Sequence, residues 1–134
     1  MGFNRTHVIS SQNHYDASRP KFNPNYYGYL THRITSELTL LSGRAPWTFQ
    51  IHGSAGKQSY ADRLVQDSTG AYGTDTTHVD FAFVDFSVAY PIARGFSVKA
   101  LTAFGWNDSN NTYTQVYQYH YNTQMYLFGF TYAY

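Results

Sequence analysis

From Tyr126 to Tyr134 every even position is aromatic: Tyr126, Phe128, Phe130, Tyr132 and Tyr134. The odd positions between them are Leu127, Gly129, Thr131 and Ala133. Side chains alternate across a β-strand, so this segment, read as a strand, collects its rings on one face. A large contiguous apolar face is rarely left in water. Whatever sheet this strand belongs to must set its ring-bearing side against a second sheet or against lipid.

The rest of the chain repeats the pattern. Six strand-like stretches can be read, at about Phe3 to His14, Tyr26 to Leu41, Trp47 to Tyr60, His78 to Tyr90, Gly95 to Trp106 and Thr114 to Tyr134. In the second, Leu30, Ile34, Leu38 and Leu40 share a parity, and Thr31, Arg33, Thr35, Glu37 and Thr39 fill the other. In the third, Trp47, Phe49, Ile51, Gly53 and Ala55 oppose Thr48, Gln50, His52, Ser54 and Gly56. In the fifth, Phe96, Val98, Ala100, Thr102, Phe104 and Trp106 oppose Ser97, Lys99, Leu101, Ala103 and Gly105. The fourth changes sides midway, with Val84, Phe86, Val88 and Tyr90 on one parity and Val79, Phe81 and Phe83 on the other. A bulge near Phe83 and Val84 would reconcile its halves.

Short turns are expected at Ser42-Gly43-Arg44-Ala45-Pro46 and at Pro91-Ile92-Ala93-Arg94. Longer polar loops are expected before Tyr26, over Asp67 to Thr77 and over Asn107 to Thr112. Short and long connections therefore alternate, as in an antiparallel meander.

Composition narrows the class. The net charge is +1 and only 13% of residues are charged, which gives no basic face for nucleic acid. With 19% aromatic residues the chain is not of disordered composition. There is no cysteine, hence no disulfide and no thiol-based metal site. Tyrosine alone contributes 14 residues; it suits places where one end of a side chain is dry and the other wet, such as a membrane interface. The mean hydropathy of −0.46 does not oppose this. A spanning β-strand needs only about 9 to 11 residues, half of them polar and facing a lumen. No secretory signal is visible near Met1, so the expectation is a mature chain or a segment of a longer one.

The closing residues, Gly129-Phe130-Thr131-Tyr132-Ala133-Tyr134, resemble the C-terminal β-signal of bacterial outer-membrane β-barrels. Leu127, two positions before the glycine, departs from the polar residue favoured there. The resemblance implies that Gly129, Tyr132 and Tyr134 are recognised by the barrel-assembly machinery, and that the chain lies in the bacterial outer membrane among its lipids. The Asp108-Ser109-Asn110-Asn111 stretch before a tyrosine-rich final strand is also similar to the end of larger exopolysaccharide-export barrels. The expected fold is all-β, an antiparallel up-and-down transmembrane β-barrel. Six strands are fewer than the roughly eight of the smallest single-chain barrels. The chain is then the C-terminal segment of a larger barrel, one protomer of a barrel shared between copies, or an eight-stranded barrel with two strands hidden in the longer segments. The eight-stranded form is preferred.

Candidate residues follow from the faces. Arg33, Glu37, His52, Asp85 and Lys99 would face the lumen, either selecting what passes or filling a narrow interior as paired charges. Trp47, Tyr90, Phe96, Phe104 and Trp106 would sit at the lipid interfaces. The six histidines show no metal-binding spacing, and no Gly-x-Ser-x-Gly elbow marks a hydrolase; no catalytic residue, metal or cofactor is expected. The expected role is a passive passage, porin-like or for export, or a membrane anchor. A small closed barrel that binds partners through its outer loops is one alternative. A soluble lipocalin-like barrel, with the rings packed inside, is the other.

Overall fold

The computed structural model describes residues 1–16, 21–43, 46–113 and 120–132, without the side chains of Asp16 and Lys21. Its elements are β1 (Gly2–Val8), β2 (His14–Asp16), β3 (Lys21–Asn23), β4 (Tyr29–Leu41), β5 (Thr48–Gln66), β6 (Tyr72–Ala93), β7 (Phe96–Ser109) and β8 (Tyr121–Tyr132). Six of them form one sheet in the order β1-β4-β5-β6-β7-β8, every neighbour antiparallel. The other two, β2 and β3, pair as a small separate hairpin within the connection from β1 to β4.

The sheet is open: among the described residues β1 and β8 each have one neighbour. Among the described residues the two extra strands wanted for an eight-stranded barrel are not in the wall, and residues 114–119 of the sixth stretch lie outside the described residues. Between β1 and β4 the described residues form the β2-β3 pair and the turn at Pro24 to Tyr27 instead. The first strand likewise stops at Val8, well short of His14.

Register places the alternating residues. Following cross-strand partners, Ile34, Ala55, Ala82 and Trp106 form one row, and Leu40, Phe49, Val88, Ala100 and Phe128 another. These lie on the ring-bearing face. Thr39, Gln50, Ser87, Leu101 and Leu127 form a row on the opposite, polar face. Among the described residues the sheet has no second layer, and the only buried apolar side chain is Ala103. A compact monomer of 15.4 kDa would expose about 7,200 Å²; this one exposes 9444 Å².

The structure departs from the sequence reading at particular places. No bulge interrupts β6 at Phe83 and Val84; its register with β5 is continuous from Thr48↔Ala89 to Ser59↔His78. Phe81 and Phe83 stay on the polar face because each lies across from a glycine, Gly56 and Gly105. A glycine in a strand opens room for a neighbouring ring. At Gly56 the room is fully used, for a Cβ there would come within 2.6 Å of the Phe81 ring and 2.2 Å of the His32 carbonyl.

The long loop over Asp67 to Thr77 is also shorter than expected. β5 continues to Gln66 and β6 starts at Tyr72, with register shifts between Ser59 and Gln66 that absorb the irregular sequence. The lower turn falls at Arg94-Gly95, past Pro91 to Ala93, and Gly95 takes the positive φ of 76° that closes it. β7 likewise runs on to Ser109.

Candidate functional site

The polar face is built from the row Glu37↔His52↔Asp85↔Ala103↔Met125, with further rows above and below. Arg33, Glu37, His52, Asp85 and Lys99 all lie on this face. Of the five, the structure joins His52 and Asp85, whose Nδ1 and Oδ2 are 3.0 Å apart. Glu37 is the partner of His52 on the other side in the same row, so the register sets one histidine between two acidic residues. A charge-assisted contact of this kind holds the ring's orientation. Arg33 and Lys99 are each two rows from the carboxylates, roughly 13 Å along the strands. Arg33 instead lies over the Phe81 ring at 5.1 Å, a cation–π contact. A chain of polar contacts continues one row below, where Ser87 Oγ donates to Gln50 Oε1 at 3.3 Å.

The ring-bearing face carries Tyr90, Phe96, Phe104 and Trp106, with Trp47 joining it from just before β5. Trp47 packs against Tyr90 at 4.5 Å and Phe49 at 6.1 Å, at the end of the sheet with the short turns. Phe96 stacks on Phe130 at 5.5 Å at the same end. Phe104 and Trp106 stack at 6.4 Å toward the other end. Between these groups the face is mostly apolar, broken by Ser36, Thr102 and Gln124: Phe3, Ile34, Leu38, Leu40, Phe49, Ile51, Phe86, Phe128 and Phe130 are all exposed, Phe128 to 71%. On β7 the band runs from Phe96 to Trp106, the length a tilted strand needs to cross a bilayer.

A charged row that the sequence reading passed over closes this band above. Arg5, His32, Lys57, Asp80 and Asp108 are successive cross-strand partners on the ring-bearing face. Lys57 Nζ is 3.8 Å from Asp80 Oδ2, His78 Nε2 is 3.7 Å from the same oxygen, and His120 contacts Asp108. An open cavity of about 550 Å³ lies where Asp80, Trp106, Asp108, His120 and Asn122 meet. In sequence these charges are scattered singly through five strands; only the register lines them up.

Above the row, β5 and β6 extend for several turns of alternation into a polar knot. Asn110 Oδ1 accepts from His78 N–H and Asn110 Nδ2 donates to the Thr76 carbonyl. Ser109 Oγ donates to the His78 carbonyl, and Thr112 N–H to the Gln66 carbonyl. Asn111 is almost wholly buried there. At the hairpin tip Asp67 Oδ1 accepts from Thr69 Oγ1, Thr69 N–H and Ala71 N–H, which lower its carboxyl below the ordinary aspartate value, the Thr69 hydroxyl most. On the other side Arg63 lies between the rings of Tyr26 and Tyr60, at 4.9 and 5.0 Å.

Gly129 and Tyr132 lie in β8, with Tyr132 on the ring-bearing face opposite Phe96 and Gly129 on the polar face opposite Lys99. Tyr134 lies outside the described residues. Among the described residues no helix is long and apolar enough to cross a membrane, and no three His, Asp or Glu side chains converge as metal ligands. Comparison with protein-family models, with curated proteins and with solved structures finds no match.

Proposed function

We propose that this sheet is part of the wall of a bacterial outer-membrane β-barrel that serves as a passive passage or a membrane anchor. One observation carries the reading. The ladder residues that solvent barely reaches (Thr31, Ser87, Ala103, Gly105 and Ser109) are all on the polar face, while the large rings of the other face stand exposed. Side chains crowd on the concave side of a curved sheet and splay on the convex side. Polar groups therefore line the inside and rings the outside, which is the arrangement of a barrel in lipid. A soluble lipocalin-like barrel needs the reverse, with Phe86 and Phe130 enclosed.

Closing the wall takes more strands than six, because strand number, tilt and stagger must agree. They come from the same larger protein or from other copies of this chain. The Glu37-His52-Asp85 row, with Arg33 and Lys99 to either side, then sits across the lumen wall and sorts solutes by charge. Gly129, Tyr132 and Tyr134 serve as the assembly signal.

Planar-bilayer recording tests the passage. Stepwise conductance is expected, with cation preference altered in Asp85→Asn. A protein that inserts without steps is an anchor or a loop-borne binding module. The latter reading is favoured by the ordered polar knot around Asn110 and Asn111. A chain that stays folded and monomeric without detergent defeats the membrane reading altogether.

A further inference from the structure

We infer that Arg5, His32 and Lys57 form a binding site for a phosphate-bearing lipid headgroup. The inference rests on the membrane reading of the ring-bearing face and adds to it a ligand. The three are direct cross-strand partners on β1, β4 and β5, so their Cα atoms span roughly 10 Å. One row below them stand Phe3, Ile34 and Ala55, the start of the apolar band. The His32 ring stacks on Phe3 at 6.0 Å, which holds it at the boundary. A lipid whose acyl chains lie on the band places its headgroup at this row.

Charge supports the same occupant. The acidic half of the row is matched from within, Asp80 by Lys57 and His78, Asp108 by His120. Arg5 is not: among the described residues no carboxylate is within ion-pair distance of its guanidinium. A phosphate over this row meets the positive charges of Arg5 and Lys57 on either side of the His32 ring, whose N–H is a further hydrogen-bond donor. Arginine's planar fork fits two phosphate oxygens, and Lys57, half exposed beside Asp80, adds a point charge.

The test uses the purified chain in vesicles of neutral lipid. Protease protection and heat-dependent electrophoretic mobility first show whether it spans. Native mass spectrometry then measures binding of a bisphosphorylated glycolipid and of the same glycolipid stripped of phosphate. The parent is expected to prefer the phosphorylated form at least tenfold. Arg5→Gln/His32→Gln/Lys57→Gln is expected to span as before and lose about thirtyfold in affinity, and Arg5→Gln alone part of that. Equal binding of the two glycolipids, or undiminished binding by the triple variant, overturns the inference. Displacement by millimolar inorganic phosphate keeps the phosphate chemistry and overturns the lipid source. A chain that fails protease protection defeats the membrane reading, and this inference with it, before any glycolipid is added.

Discussion

At the residue scale, small groups decide where large ones go. Gly56 and Gly105 were visible in the sequence as isolated glycines within strands, a sign of close approach. What approaches them was not visible, because Phe81 and Phe83 come from a strand many residues away. Gly56→Ala must push the His32 carbonyl or the β4 backbone aside, not merely a flexible side-chain end. A loss of about 1–3 kcal/mol is expected, as for other overpacked sites, read as a lower urea midpoint in lipid vesicles. Asp67 gives a pH-dependent case. Its carboxyl is more acidic folded than unfolded, so the charged form stabilises the tip fully above the ordinary aspartate range. That contribution disappears as pH falls through the lowered value. Hydrogen exchange at Ala71 N–H is expected to speed up in acid after allowance for its intrinsic pH dependence, and in Asp67→Ala to be fast at every pH.

At the scale of the strand, parity is the property with consequences. Phe128 and Leu127 are neighbours on β8, both exposed, and face opposite sides of the sheet. If the ring-bearing face meets lipid, Phe128→Arg costs about 2–4 kcal/mol near the bilayer middle while Leu127→Arg costs little. In water the two changes would be alike. Unfolding of both variants from vesicles by urea makes the comparison. Strand existence and facing were legible for the second, third and fifth stretches, where one parity gathers most of the large apolar residues. Strand ends were not: β5 and β6 outrun their apolar residues because Asn110 bonds the backbone of Thr76 and His78, and Thr112 that of Gln66, far above the band. Backbone pairing of that kind leaves no hydrophobic trace.

At the scale of the molecule, the open edges matter most. β8 carries no charge and no proline from Tyr121 to Tyr132, which leaves its outer edge without the usual protection against pairing. The isolated chain in mild detergent is therefore expected to run as particles holding more than one copy, with mass read by light scattering after correction for detergent. A strictly monomeric particle would argue against closure by other copies and leave a larger chain as the source of the missing strands.

The alternation alone determined that this chain makes strands with one face of rings and one of polar groups, because a period of two needs no knowledge of neighbours, and the short turns between strands made them antiparallel. It also set Arg33, Glu37, His52, Asp85 and Lys99 on a common side. Which of these meet, that the described strands form an open six-stranded sheet, and that Arg5, His32 and Lys57 fall in line were decided by tertiary structure. Each depends on the register between strands distant in sequence, and register comes from the packing of the whole sheet.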